Sequence, residues 1–120
     1  MAFKPDFEIA HIGVNLPDEG TAAACADLFE TLFGLARNPD KESRDASFTG
    51  TQIEWLKAPG KGVHGHIALA TRDLPGAREY LAAKGLLFND ETIKRYPDGR
   101  ILVITSDQEI GGYAIQLMQI

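Results

Sequence analysis

The chain has 120 residues, of which 44% are hydrophobic and 24% charged, enough for one soluble domain with its own core. Seventeen acidic against twelve basic side chains leave a formal charge of -5, which argues against nucleic acid or an anionic membrane as partner. A single cysteine, Cys25, excludes an intrachain disulfide framework; no apolar leader opens the chain, and its longest charge-free run, Ile110 to Ile120, is too short to span a bilayer, so a cytoplasmic location is expected.

Phe7 to Leu16 alternates and is rich in β-formers, which predicts a strand. Asp18 can cap a helix that runs to about Phe33 and stops at Gly34, with Ala22, Cys25, Phe29, Leu32 and Phe33 on its apolar face. Cys25 then reads as a small buried hydrophobe, not a nucleophile. Short strands are expected at Ala46 to Thr49 and Gln52 to Lys57, around Gly50. A glycine-rich loop, with His64 as a loop residue, leads into a strand at His66 to Thr71. Asp73 and Pro75 open a second helix that ends at Gly85. Strands follow at Glu91 to Tyr96 and Arg100 to Thr105, joined by the turn Pro97-Asp98-Gly99, and the last strand is Tyr113 to Gln119.

The order strand, helix, strands occurs twice, and the residues support a duplication. His11-Ile12-Gly13-Val14 matches His66-Ile67-Ala68-Leu69, Asp18 matches Asp73, Gly34-Leu35 matches Gly85-Leu86, and Ile53-Glu54-Trp55-Leu56 matches Ile115-Gln116-Leu117-Met118. Twenty residues separate Gly34 from Glu54, whereas 31 separate Gly85 from Gln116. The first half is thus short by about one strand and a turn, and its first hairpin strand, within Leu35 to Asp45, should be stunted or absent. The two modules are expected at about 7–58 and 65–120 of a single 1–120 domain.

Side chains alternate across a strand. Ala10, Ile12, Val14 and Leu16 share one face of the first strand, and His11, Gly13 and Asn15 the other. The same parity sets Ile67 and Leu69 against His66, Ile53 and Trp55 against Glu54, and Ile115 and Leu117 against Gln116. The apolar faces suit packing under two helices, with Trp55 and Leu69 in the core. The opposite faces offer His11, Glu54, His66 and Gln116 on one concave surface. Each residue alone reads more readily as a polar group on a wet sheet face than as a ligand. Their matched placement in both halves points instead to a site for one divalent metal ion, since imidazole, carboxylate and amide oxygen form a mixed set suited to Zn, Ni, Co, Mn or Fe. No phosphate loop, dinucleotide fingerprint or Ser-His-Asp order is present.

These features resemble the vicinal oxygen chelate superfamily, which includes glyoxalase I, methylmalonyl-CoA epimerase, extradiol dioxygenases and bleomycin-binding proteins. Gly65-His66-Ile67-Ala68-Leu69 is similar to the second-half start of bacterial glyoxalase I, Ile53-Glu54 to its first-half metal glutamate, and Gly112 to Leu117 to its final strand. A narrower resemblance joins Ile53 to Pro59 and Glu109 to Ala114 to the glyoxalase-like domain fused to some bacterial 2-keto-acid aldolases. The resemblance implies an α+β fold of two βαβββ modules, a homodimer, and a metal held by His11, Glu54, His66 and Gln116. It implies a glyoxalase-like lyase or isomerase that acts on a small oxygenated carbon acid through a metal-stabilised enediolate. Glyoxalase I has a glutamate at the position of Gln116, and an amide cannot take a proton. Glu54, read as the one nearby carboxylate, is therefore the expected catalytic base. The alternatives are a non-catalytic module of the same fold that binds a small molecule or metal, and, ranked last, an Fe(II) oxygenase built on His11, His66 and Glu54.

Overall fold

The computed structural model describes residues 5–120. β1 (Glu8–Asn15) leads into α1 (Glu19–Phe33), a short 3-10 turn (Pro39–Lys41), β2 (Ala46–Thr49) and β3 (Ile53–Leu56). The second half is β4 (Gly65–Thr71), α2 (Leu74–Ala83), β5 (Asn89–Arg95), β6 (Ile101–Ile110) and β7 (Tyr113–Gln119). Both helices begin where the capping residues stand. Asp18 accepts the Thr21 backbone N–H at 2.7 Å, and Asp73 accepts that of Gly76 at 3.1 Å. Gly34 closes α1 in the left-handed region at φ 71°, which costs an L side chain more than glycine.

The strands form one seven-stranded sheet in the order β2-β3-β1-β4-β7-β6-β5. In each half the first strand lies parallel to the last, β1 beside β3 and β4 beside β7, and the halves meet where β1 runs antiparallel to β4. The register repeats as well: Gly13, two residues after His11, lies beside Glu54, and Ala68, two after His66, lies beside Gln116. In place of a first-half counterpart to β5 there is only the 3-10 turn and an isolated bridge from Arg37 to Thr49. The stunted strand expected between Leu35 and Asp45 is what the fold shows.

Both helices cover one face of the sheet. Under α1 lie Trp55, Val14 and Ile53 against Ala22, Ala26 and Phe29, and the Trp55 indole donates to the Thr49 hydroxyl at 2.8 Å. Under α2, Ile67, Leu69, Ile104, Ile115 and Leu117 pack on Leu74, Ala77 and Phe88. Cys25 packs half-buried at the edge of the first cluster.

Three local readings need correction. Leu32 and Phe33 are 65% and 62% exposed, because the last turn of α1 overruns the short β2 edge and no further strand lies beneath it. A bulge between Ile9 and His11 resets the alternation, so Ile9, opposite Leu69, shares the helix face with Ile12 in place of Ala10. β6 continues five residues beyond Thr105 through the polar run Ser106 to Glu109. There the Ser106 hydroxyl accepts the Ile115 N–H across a pairing irregularity.

Candidate metal centre

The face of the sheet free of helices carries the polar residues. His11 Nε2, His66 Nε2 and Glu54 Oε1 converge. The carboxylate oxygen lies 3.1 Å from His66 and 3.6 Å from His11, and the two ring nitrogens are 3.3 Å apart. They come from β1, β3 and β4, the three adjacent strands at the junction of the halves. The Phe48 ring meets His11 edge-on, with centroids 5.8 Å apart. Gly13 leaves the space that the His66 ring fills: a Cβ there would sit 2.2 Å from His66 Cε1. Gly65, immediately before His66, has φ 142°, and a Cβ on it would stand 1.8 Å from the Gly13 carbonyl oxygen. The two glycines thus permit the close approach of β1 and β4 that brings both histidines to one point.

Gln116 shares a cavity of about 340 Å³ with His66. Among the described residues its side chain makes one hydrogen bond, donating to Thr105 Oγ1 at 3.4 Å. His11, Glu54 and His66 are therefore in mutual contact, and Gln116 shares a cavity with one of them, His66. His64 is elsewhere, its ring over Tyr113 and its backbone bonded to Gly112 and Asn15.

Burial pushes His11 below the usual imidazole range; the Glu54 charge opposes this, and His66 and Lys41 add to it. For Glu54, burial alone would raise the carboxyl, but the His66 hydrogen bond and the charges of His66, His11 and Lys94 outweigh it, and the net shift is downward. Near neutral pH the trio thus consists of a carboxylate and an unprotonated His11. A carboxylate has no hydrogen to give and an unprotonated imidazole has one, so the Glu54 and His11 atoms at the point of convergence carry more lone pairs than hydrogens. A donor set so poor in hydrogens and rich in lone pairs fits a cation, and two histidines with one carboxylate suit a divalent transition metal.

Sequence reading missed several neighbours. Glu91 also lines the cavity of His66 and Gln116, so Glu54 is not the only carboxylate nearby. Thr92, Lys94 and Thr105 line it too, and the loop 57–64 roofs it through Gly60 and Lys61. That loop is held by Asn15, whose amide donates to the Gly62 carbonyl at 2.8 Å and accepts the Gly60 N–H at 3.0 Å, and by an ion pair from Lys61 to Asp107. A strand lysine and a strand glutamate carry no sequence signal beyond a solvated edge, and Gly13 carries none until the strand opposite is known.

Solved structures share the architecture. Methylmalonyl-CoA epimerase from Streptomyces coelicolor, in complex with 2-nitronate-propionyl-CoA, superposes with a TM-score of 0.60 at 18% identity, over 93% of this chain and 93% of that one. Methylmalonyl-CoA epimerase from Mycobacterium tuberculosis gives 0.61 at 15% identity over 92% of this chain and 86% of that one. The hypothetical protein BH1468 from Bacillus halodurans C-125 gives 0.63 at 12% identity over 96% and 95%. The chain has the vicinal oxygen chelate fold. No family model matches the sequence, and no curated protein does. The observed modules, β1-α1-β2-β3 and β4-α2-β5-β6-β7, are those of the glyoxalase-like α+β class, the first with its hairpin shortened.

Proposed function

We propose that the chain is a divalent-metal-dependent isomerase or lyase of glyoxalase type, acting on a small oxygenated carbon acid. The observation that carries the reading is the convergence of His11, Glu54 and His66 on one point at the junction of the halves. The likeness to proteins named methylmalonyl-CoA epimerases supports an isomerase class of chemistry. His11 and His66 would supply nitrogen ligands, Glu54 a carboxylate and Gln116 a weaker amide oxygen. A divalent cation, when bound, supplies Lewis-acid stabilisation of negative charge on two adjacent substrate oxygens, the charge an enediolate carries. Zn, Ni, Co, Mn and Fe all suit this donor set. The same reading takes in a cytoplasmic location and a homodimer; none of the described helices is long and apolar enough to cross a membrane.

The protein's own part is proton transfer and orientation. Glu54, whose carboxylate contacts His66, would accept a proton from a substrate carbon beside the cluster. Gln116 cannot, and its bond to Thr105 suits it to orienting. The loop 57–64, held by the Lys61–Asp107 ion pair, contributes Gly60 and Lys61 to the cavity wall.

The test is metal analysis of protein purified without chelator, and then deuterium exchange, read by NMR, at C3 of 2-oxo acids and at C2 of 2-hydroxy acids and of methylmalonyl-CoA. Stoichiometric metal with exchange abolished in Glu54→Gln and retained in Glu91→Gln supports the reading; the reverse pattern transfers the base role to Glu91. Stoichiometric metal with no exchange on any probe favours the second reading, a binding module of the same fold. That reading has its own observation: the second half offers an amide where a second carboxylate would stand.

A further inference from the structure

Lys94 is an anomaly among the cations. Every other lysine and arginine of the described residues has a partner: a carboxylate for Arg37, Arg44, Lys57, Lys61, Arg72, Arg78 and Arg100, an aromatic ring for Lys41 and Lys84, and a carbonyl for Arg95. Lys94 has no hydrogen-bond, ion-pair or ring partner among them. Its place in the sheet explains where it stands. β5 sets Lys94 beside Val103, Val103 lies beside Met118, and Thr105 lies beside Gln116. Parity therefore puts Lys94 on the face of Gln116, and the two line one cavity with His66. Its charge reaches Glu54, yet it makes no ion pair there or with Glu91, which lines the same cavity.

We infer that Lys94 determines the substrate's class by receiving a carboxylate distinct from the oxygens directed at His11, Glu54 and His66. This rests on the function proposed above. A carboxylate suits the position better than a phosphate, which is commonly held by a helix N-terminus or an arginine fork, neither of which lines this cavity, and Lys61, the other lysine in its lining, is already paired with Asp107. The volume of about 340 Å³ suits a small acid. The substrate is then a short diacid, with an oxo or hydroxy carboxylate end at the histidines and a second carboxylate at the lysine.

The experiment compares matched acids that differ only in the far group: oxaloacetate with 2-oxobutanoate, and 2-oxoglutarate with 2-oxopentanoate. Each is titrated calorimetrically into Zn(II)-loaded protein, and by NMR into chelator-treated protein, for the parent, Lys94→Gln and Lys94→Arg. The parent is expected to prefer the diacid at one chain length by about tenfold, the usual scale of a charge-assisted hydrogen bond. Lys94→Gln should abolish the preference, read as the ratio of diacid to monoacid affinity within each variant, and Lys94→Arg should retain it. A parent with no preference at either length, or a preference that survives Lys94→Gln, overturns the inference. Failure to bind Zn(II) removes the proposed catalysis alone, since the Lys94-dependent preference is read with and without metal.

Discussion

The two halves place equivalent residues in equivalent register and surround them differently. Glu54 lies beside Phe48 on the neighbouring strand, and Gln116, its counterpart, lies beside Thr105. An aromatic neighbour offers a carboxylate no hydrogen bond, so Glu54 turns to His11 and His66. A hydroxyl neighbour engages the amide, so Gln116 is drawn towards β6. The strand that the first half lacks is the one that in the second half brings Glu91, Thr92 and Lys94 to the cavity. The first half thus supplies His11 and Glu54 to the cluster, and the second supplies His66 and the wall that would meet the rest of a ligand. Duplication accounts for the placement of the ligands, and the departures from it account for the chemistry each half can offer.

The largest effects should come from the packing that differs between the halves. The first half has the smaller core, two buried alanines around Trp55, so Trp55→Ala should cost about 3–5 kcal/mol in denaturant unfolding. A midpoint left unmoved would mean that the faces of β3 are reversed and that Glu54 does not reach the histidines. Next in size is the junction. Gly13→Ala should displace the His66 ring and weaken Zn(II) binding about 10- to 100-fold, the scale of a lost supporting contact, whereas Ala68→Gly at the matched position of the second half should leave metal binding near the parent's. Equal responses at the two positions would remove the asymmetry. His66→Ala and His11→Ala should weaken binding at least as much as Gly13→Ala, measured in the same calorimetric titration.

The histidines, Glu54 and the helix caps were legible because each follows from a short-range rule: alternation along a strand, or a side-chain oxygen three residues before an N–H. The missing strand was legible from a spacing difference between repeats. What escaped depended on contacts between distant segments. Gly13 matters only because His66 lies across from it, and Lys94 faces the site only because β5 joins the sheet at its far edge. Leu32 and Phe33 satisfied helical periodicity, but periodicity does not say where the sheet ends. The strand expected to end at Thr105 continues through Ser106 to Glu109, where Ser106 and Gln108 accept the backbone N–H groups of Ile115 and Leu87.

A smaller effect concerns acid. Only the first half places a titrating carboxyl in the cluster, and both its groups shift the same way. Glu54 and His11 each have a lowered pKa in the folded state, so each binds fewer protons folded than unfolded. Each then contributes stability that is present above its unfolded pKa and is lost as pH falls through the folded one. For His11 the loss begins below about 6.5, and for Glu54 below about 4.3. Urea midpoints of metal-free protein between pH 7.5 and 4 should fall on acidification, and His11→Phe should flatten the upper part of that fall. Gln116→Ala should leave the profile unchanged, because its amide does not titrate; a profile altered there and not by His11→Phe would place the pH-sensitive contact in the second half.

The smallest effect is expected at Gln116 itself. A neutral amide is the poorest donor of the set, and here it is partly engaged by Thr105. Gln116→Ala should therefore weaken Zn(II) binding less than either histidine replacement does. Gln116→Glu makes the halves alike in charge and lowers the charge of the cluster by one, so Zn(II) should bind more tightly. Thr105 decides how much more: its hydroxyl can donate to the new carboxylate and hold it away from the metal, so Thr105→Val combined with Gln116→Glu should bind more tightly than Gln116→Glu alone. The double-mutant cycle isolates that coupling, because Thr105→Val alone should change Zn(II) affinity little. A Gln116→Glu variant that binds Zn(II) no better than the parent, with and without Thr105→Val, would mean that position 116 does not face the metal. The centre would then be the three-residue site of His11, Glu54 and His66, and the second half would contribute one ligand and the cavity wall.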